Sequence, residues 1–212
     1  SKLNNKIPII SEERIYSNNN FLFECYWLID PIDGTREFIS GGTEFTINVC
    51  LIFHGQPILG LIAHPPKKKV WLCFDNNLLI SDKRGNLNSI VKSNFIFKTP
   101  TVITSKYTDS ETNNFIDNIL EKNVIKLSSS LKFCYLVEGK ACLYPRLSVI
   151  KKWDIAAGHA LIKSVGGTMI KKNGKEYTYD YNKDNSLPFL ATNSRDTLKN
   201  INFNIPITKY FS

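Results

Sequence analysis

The order of apolar and polar positions divides this chain into strands first and helices later. Residues 26–29, Tyr-Trp-Leu-Ile, are an unbroken apolar run and predict a buried strand. That strand should end at Asp30, because Pro31 pushes its predecessor into an extended conformation. Phe45 to Phe53 is β-branched and alternating at its start, which predicts a second long strand. Pro57 to His64 and Lys69 to Phe74 predict two more, divided by a Pro65-Pro66 turn. A short apolar run, Ile7 to Ile10, precedes them and stops at Ser11-Glu12-Glu13. Such a meander argues for an antiparallel or mixed sheet. Residues 75–98 add short strands around an Asp82–Asn86 turn, and Thr101 to Ser105 adds another.

Helical spacing appears in the second half. Asp109 to Lys122 carries Phe115, Ile116, Ile119 and Leu120 as one stripe, with Asp109 or Ser110 as its cap. Ser128 to Gly139 predicts a serine-capped helix ended by glycine. Asp154 is placed to cap a third helix with Ile155, Gly158, Ile162 and Val165 on one face and Gly166-Gly167 as the stop. Gly158 in mid-helix costs about 1 kcal/mol relative to alanine, and close packing is the reading for it. Arg36 to Ile39 makes one helical turn, and the Asn-rich stretch 14–24 a loop. Ala141–Arg146, Thr168–Lys172, Glu176–Tyr181 and Phe189–Thr192 predict closing strands, while 194–212 shows no pattern that places it.

Composition narrows the class of protein. With 212 residues, 42% hydrophobic and 22% charged, the chain can bury one large core or two packed lobes. No apolar run approaches the roughly 18 residues of a membrane span, and Ser1 to Lys6 leads into no signal-peptide core. Five scattered cysteines without a C-x-x-C predict reduced thiols and a cytoplasmic setting, not a disulfide framework or a zinc site. A net charge of +8 suits an anionic partner. No recognition helix or RNA-binding signature accompanies it, so a small phosphorylated molecule is a better fit than a nucleic-acid polymer. Lys67-Lys68-Lys69 reads as a solvated loop; His54, His64 and His159 read as structural.

The chemistry is concentrated where the first long strand ends, in Asp30-Pro31-Ile32-Asp33-Gly34-Thr35. Two carboxylates with the Ile32 carbonyl between them make an oxygen-rich pocket of the kind Mg²⁺ prefers. Gly34 can adopt backbone angles closed to other residues. The amides of Gly34 and Thr35 then lie where free N–H groups can hold a phosphate. For an arbitrary D-P-x-D the plainer reading, an Asx turn with a solvated Asp30, is the better one.

The whole string D-P-I-D-G-T after an apolar strand resembles the central motif of the lithium-sensitive, Mg²⁺-dependent phosphatases, the inositol monophosphatase-like superfamily. Two further segments carry the resemblance: the Glu-Glu pair at Glu12, and W-D-x-A-A-G-H-A followed by Gly-Gly around Asp154. It implies a layered α-β-α-β sandwich, of α+β or α/β class. It implies two or more Mg²⁺ ions bound by Glu12, Asp30, the Ile32 carbonyl, Asp33 and Asp154, with Li⁺ inhibitory. Thr35 would orient the attacking water, and Gly34 and Thr35 would hold the phosphate.

Ser128-Ser129-Ser130-Leu131-Lys132 and Tyr144-Pro145-Arg146 resemble the bisphosphate nucleotidase branch in particular. There Ser129, Lys132 and Arg146 would contact the nucleotide, and the expected reaction converts adenosine 3',5'-bisphosphate to AMP. A substrate-contacting histidine of that branch stands replaced near Tyr107. The lobes expected are 1–99, bearing the first two motifs, and 100–193, bearing the rest, with 194–212 as a tail. Family members carry a helical region before the Glu-Glu motif that does not fit ahead of Glu12. The expectation is therefore a shortened chain with apolar sheet surface uncovered. A cytoplasmic monomer or homodimer is implied, with peripheral association at the inner face of the membrane as a variant. An inositol monophosphatase and an inactive, N-terminally shortened member are the rival readings.

Overall fold

The computed structural model describes residues 7–13, 23–90, 97–181, 185–186 and 188–209. Most of the Asn-rich stretch 14–24, and residues 91–96 of the segment 75–98, lie outside them. Seven strands form the first sheet in sequence order: β1 (Ile9–Ser11), β2 (Cys25–Asp33), β3 (Thr46–Phe53), β4 (Gln56–His64), β5 (Lys69–Phe74), β6 (Asn77–Ser81) and β7 (Leu87–Ile90). β1 runs parallel to β2 and every later pair is antiparallel. The meander forms because each link is short and local, such as the 3₁₀ turn Pro65–Lys67.

A short helix, α1 (Thr35–Ile39), follows β2 directly. The second half supplies α2 (Ser110–Asp117), α3 (Leu131–Val137) and α4 (Lys152–Ser164). It also builds a five-stranded sheet ordered β12 (Thr168–Lys171), β14 (Phe189–Thr192), β10 (Leu143–Arg146), β8 (Thr101–Thr104), β9 (Asn123–Lys126). β11 (Ile150–Lys151) and β13 (Asn185–Ser186) pair separately. Helices α3 and α4 lie between the two sheets, and α2 covers the far side of the second. The described layers therefore run β-α-β-α, as a sandwich of mixed sheets and helices.

Helix α4 is the centre of this stack, with eleven of its residues buried. Two glycines let it sit so close. A Cβ on Gly60 of β4 would fall 2.6 Å from the Ala160 Cβ. A Cβ on Gly158 would fall 2.1 Å from the Phe133 ring of α3. His159 is wholly buried, its Nδ1 3.2 Å from the Tyr179 hydroxyl, and burial pushes its pKa down to about 3. It is a neutral packing residue. On the other face of the first sheet, Trp27, Ile29, Val49, Leu51, Leu61 and Leu72 stay partly exposed.

Several expectations are corrected. β2 does not end at Asp30 but runs through Pro31 to Asp33. Asp154 is not the N-cap of α4; Lys151 is, and Asp154 sits in the first turn. α3 is not capped by a serine side chain, because the Ser130 hydroxyl is engaged elsewhere. Glu176–Tyr181 makes a single bridge rather than a strand, with Tyr177 and Tyr179 buried in the core. α2 stops at Asp117, where the neighbouring Asn118 side chain turns to the backbone of Ile205 in both directions. That exchange fastens the segment after residue 200, which the pattern left unplaced, onto the second sheet's outer helix.

Candidate active site

Asp30 and Asp33 lie three residues apart, an odd spacing that would send them to opposite faces of a regular strand. They share a face because β2 carries a bulge between them: Asp30 pairs with Asn48 and Asp33 with Thr46, three residues of β2 against two of β3. Pro31 fits there because it has no N–H to lose from the ladder. Ile32 N–H donates to Asp30 Oδ1 at 3.0 Å, and the Thr35 hydroxyl donates to the Ile32 carbonyl at 3.0 Å. Gly34 sits at φ +90°, and a Cβ there would meet the Glu44 carbonyl at 2.9 Å. Only glycine turns the chain there without displacing its neighbour.

The other carboxylates arrive from two directions. β1 runs parallel to β2 with Ser11 opposite Ile29, so the next residue, Glu12, emerges beside Asp30. Asp154 comes from the first turn of α4, where it accepts from the Lys151 N–H in the manner of a capping box. Asp30 is 1% exposed, and burial, then the charges of Asp33, Asp154 and Glu12, push its pKa up to about 8. Burial, then Asp33 and Glu12, likewise raises Asp154, which is hydrogen-bonded to Asp30. Two carboxyl groups can bond this way only while one keeps a proton.

Asp33 is fixed by three donors on the same oxygen. Ser130 Oγ lies 2.7 Å from its Oδ2, Asn48 Nδ2 3.2 Å and Thr46 Oγ1 3.4 Å. Ser130 Oγ is also 2.7 Å from the Asp154 carbonyl, so its one proton links the two aspartates' segments. Among the described residues no three acidic, His or Cys side chains stand at metal-ligating spacing. The donor set is nevertheless all oxygen, which suits a hard divalent cation. A cation among these groups would relieve the repulsion that lifts Asp30 and Asp154.

A cavity of about 240 Å³ opens from Asp33 and Asp154 toward a basic end. Its lining includes Ser129, Lys132, Arg146, Lys106 and Tyr107. Lys132 is 6% exposed, and burial holds its pKa down to about 8, against the pull of Asp33. Its ammonium donates to the Ser129 and Leu127 carbonyls. Arg146 donates from one terminal nitrogen to Ser105 Oγ at 3.2 Å, while its buried Nε finds no partner among the described residues. Ser129 takes a left-handed backbone, φ +55°, and its Cβ abuts Gly34.

All the residues singled out from the sequence thus border one site: Glu12, Asp30, Ile32, Asp33, Gly34, Thr35 and Asp154 at the acidic end, Ser129, Lys132 and Arg146 at the basic end. Sequence reasoning missed Thr46, Asn48 and Ser130. The signal for the first two was present: they are polar positions on the inward face of β3, in phase with Cys50 and Ile52. Ser130 had no such signal among three successive serines.

Two sheets thus face each other across a buried helix, with carboxylates and cations at opposite ends of one cavity. Residues 1–199 match the model of the inositol monophosphatase family, and the chain belongs to that family. It is 38% identical over 184 residues to the 3'(2'),5'-bisphosphate nucleotidase CysQ of Buchnera aphidicola subsp. Acyrthosiphon pisum, covering 84% of this chain and 68% of that one. To CysQ of Salmonella typhimurium it is 35% identical over 177 residues, covering 82% and 70%. The crystal structure of CysQ from Bacteroides thetaiotaomicron, a bacterial member of the family, superposes with a TM-score of 0.75. That match covers 88% of this chain and 76% of that one at 27% identity. The chain is a phosphatase of this family.

Proposed function

We propose that the protein removes the 3'-phosphate of adenosine 3',5'-bisphosphate in a Mg²⁺-dependent reaction, with water attacking phosphorus and AMP leaving. The observation that carries this reading is the single cavity with Asp33 and Asp154 at one end and Lys132 and Arg146 at the other. A substrate with two phosphates uses both ends. A simple monophosphate leaves the cations unused. The relatives named as bisphosphate nucleotidases support the same reading.

Glu12, Asp30, Asp33, Asp154 and the Ile32 carbonyl would hold the metal. When bound, Mg²⁺ supplies Lewis-acid polarisation of the phosphoryl group and lowers the pKa of water. The chain's own groups do the positioning. The Gly34 and Thr35 amides face the scissile phosphate, and the Thr35 hydroxyl, close to the Ile32 carbonyl, orients the incoming water. Ser130, Asn48 and Thr46 keep Asp33 aligned. Lys132 and Arg146 hold the second phosphate, the arginine through a planar fork that matches two phosphate oxygens.

The test is phosphate release from a panel: adenosine 3',5'-bisphosphate, inositol monophosphate and AMP, each with Mg²⁺, with EDTA and with Li⁺. Release is expected to be fastest from the bisphosphate, abolished by EDTA and inhibited by Li⁺. Faster release from inositol monophosphate would make the chain a monophosphatase, and no release from any would make it an inactive member. Lys132→Ala should raise KM for the bisphosphate by about tenfold, the loss of roughly one charge-assisted contact. KM for inositol monophosphate should change little; equal rises would remove Lys132 from the nucleotide end. Because Lys132 loses its charge as pH passes about 8, KM for the bisphosphate should also climb above that pH.

A further inference from the structure

The two ends of the cavity belong to different parts of the fold. The acidic end joins β2, which α1 follows, to Asp154 in the first turn of α4. The basic end joins the segment after β8 to the serines before α3, to Lys132 in its first turn and to Arg146 at the end of β10. Between them stands a set of contacts that no role described so far requires. Glu37 of α1 pairs with Lys106 at 2.9 Å and accepts from the Ser128 hydroxyl at 3.1 Å, both through Oε1. Glu44, past the α1 turn, pairs with Lys106 at 3.3 Å and accepts from the Ser128 N–H at 2.8 Å. The Arg36 guanidinium lies 4.8 Å from the Tyr107 ring centroid. Glu37 is 18% exposed and seated against Gly42, where a Cβ would fall 2.5 Å from its Oε2.

We infer that Glu37 is a positioning residue that sets the distance between the two phosphate-binding ends and so the preference for a bisphosphate over a monophosphate. This rests on the nucleotidase reading. Glu37 lies two residues beyond Thr35, on the five-residue helix that Thr35 opens. Ser128 lies one residue before Ser129 and four before Lys132, so a bond to its hydroxyl fixes the start of the basic segment. Lys106 and Tyr107, on the third wall, are drawn to the same helix. A substrate gripped at both ends gains from a span fixed in advance, because the second phosphate then binds without further ordering. A monophosphate gripped at one end gains nothing from it. An ordinary exposed ion pair contributes little. Here one carboxylate holds two separate segments, and its neighbour Glu44 holds the same two.

The experiment compares kcat and KM for adenosine 3',5'-bisphosphate and inositol monophosphate in wild type, Glu37→Ala and Glu37→Gln, with thermal melts alongside. Glu37→Ala is expected to raise KM for the bisphosphate about tenfold, with kcat within about threefold and KM for the monophosphate unchanged. Glu37→Gln keeps an acceptor for Ser128 and should recover part of the loss. If Glu37→Ala does not fold, Lys106→Met breaks the same bridge from its more exposed side and should move the same ratio in the same direction. A wild-type bisphosphate preference that these variants leave intact, or an equal fall for both substrates tracking a lower melting temperature, overturns the inference alone. A wild type with no bisphosphate preference overturns the nucleotidase reading and the inference with it.

Discussion

Asp154→Asn should abolish turnover and, in EDTA at pH 8, make the protein more stable. The loss of activity is expected to be at least about a thousandfold, because under the proposed mechanism an amide would replace a charged oxygen donor to the metal. The gain in stability follows from the same crowding. Asp30 and Asp154 keep a proton in the folded, metal-free protein up to about pH 8. In the unfolded chain both lose it near pH 4. Their contribution to stability is therefore complete below about pH 4 and is lost progressively as pH rises toward about 8. Asparagine cannot ionise, and it can still donate to Asp30. The melting temperature of the variant in EDTA should exceed that of wild type by a few degrees at pH 8 and match it at pH 4. Mg²⁺ should raise the wild-type melting temperature more at pH 8 than at pH 6, and the variant's much less at either. Scanning calorimetry at these pH values and a phosphate-release assay check both halves. Retained turnover would remove Asp154 from the metal site, and a variant less stable than wild type at pH 8 would contradict the account of the acid pair.

Gly158→Ala is expected to be among the most destabilising single-methyl additions available to this fold. In an exposed helix the change would stabilise by about 1 kcal/mol. Here the new methyl would stand 2.1 Å from the Phe133 ring. Phe133 has nowhere to go, since its ring is packed against Tyr144 and Phe189 at centroid distances of 5.2 and 6.1 Å. α4 must shift away from α3, at a cost of about 3 kcal/mol or more, or roughly 10 °C in melting temperature for a chain of this size. Activity should fall as well, because α4 carries Asp154 and α3 begins beside Ser130, the two residues whose hydrogen bond joins these helices at the site. Phe133→Leu in the same chain should recover part of the loss by making room. Thermal unfolding reads the effect, and a melting temperature within about 2 °C of wild type would show that the helices have slack the structure does not display.

The legible parts of this fold were those decided by neighbouring residues. The meander β2 to β6 could be read from alternation and from its Pro and Gly turns, because each strand pairs with the next along the chain. The misreadings all have a distant partner. Tyr177, Tyr179 and Tyr181 alternate like a strand, yet the Tyr179 N–H bonds to the Gly55 carbonyl of a hairpin turn instead of a sheet neighbour. Ile119 and Leu120 extend the stripe of α2, but Asn118 and Leu120 bond instead to the chain after residue 200. Asp154 looks like a cap because it opens the helix. It sits one turn deeper because Ile150-Lys151 pairs with β13 and brings the chain in extended up to Lys152. At the site, residue types and short spacings were informative, and orientation was not. Nothing in Ser128-Ser129-Ser130 tells which serine reaches Asp33. Only the crossing of β3, α3 and α4 selects Ser130.

The bulge in β2 also explains why the motif has the length it has. Two acids separated by a single residue would point the same way by pleat alone, with no irregularity at all. The third step adds nothing to the alignment of the side chains. What it adds is a peptide group left out of the regular ladder, whose carbonyl takes the Thr35 hydroxyl. The odd count thus adds a main-chain carbonyl to the side-chain oxygens of the turn, an oxygen that no substitution of side chains can remove.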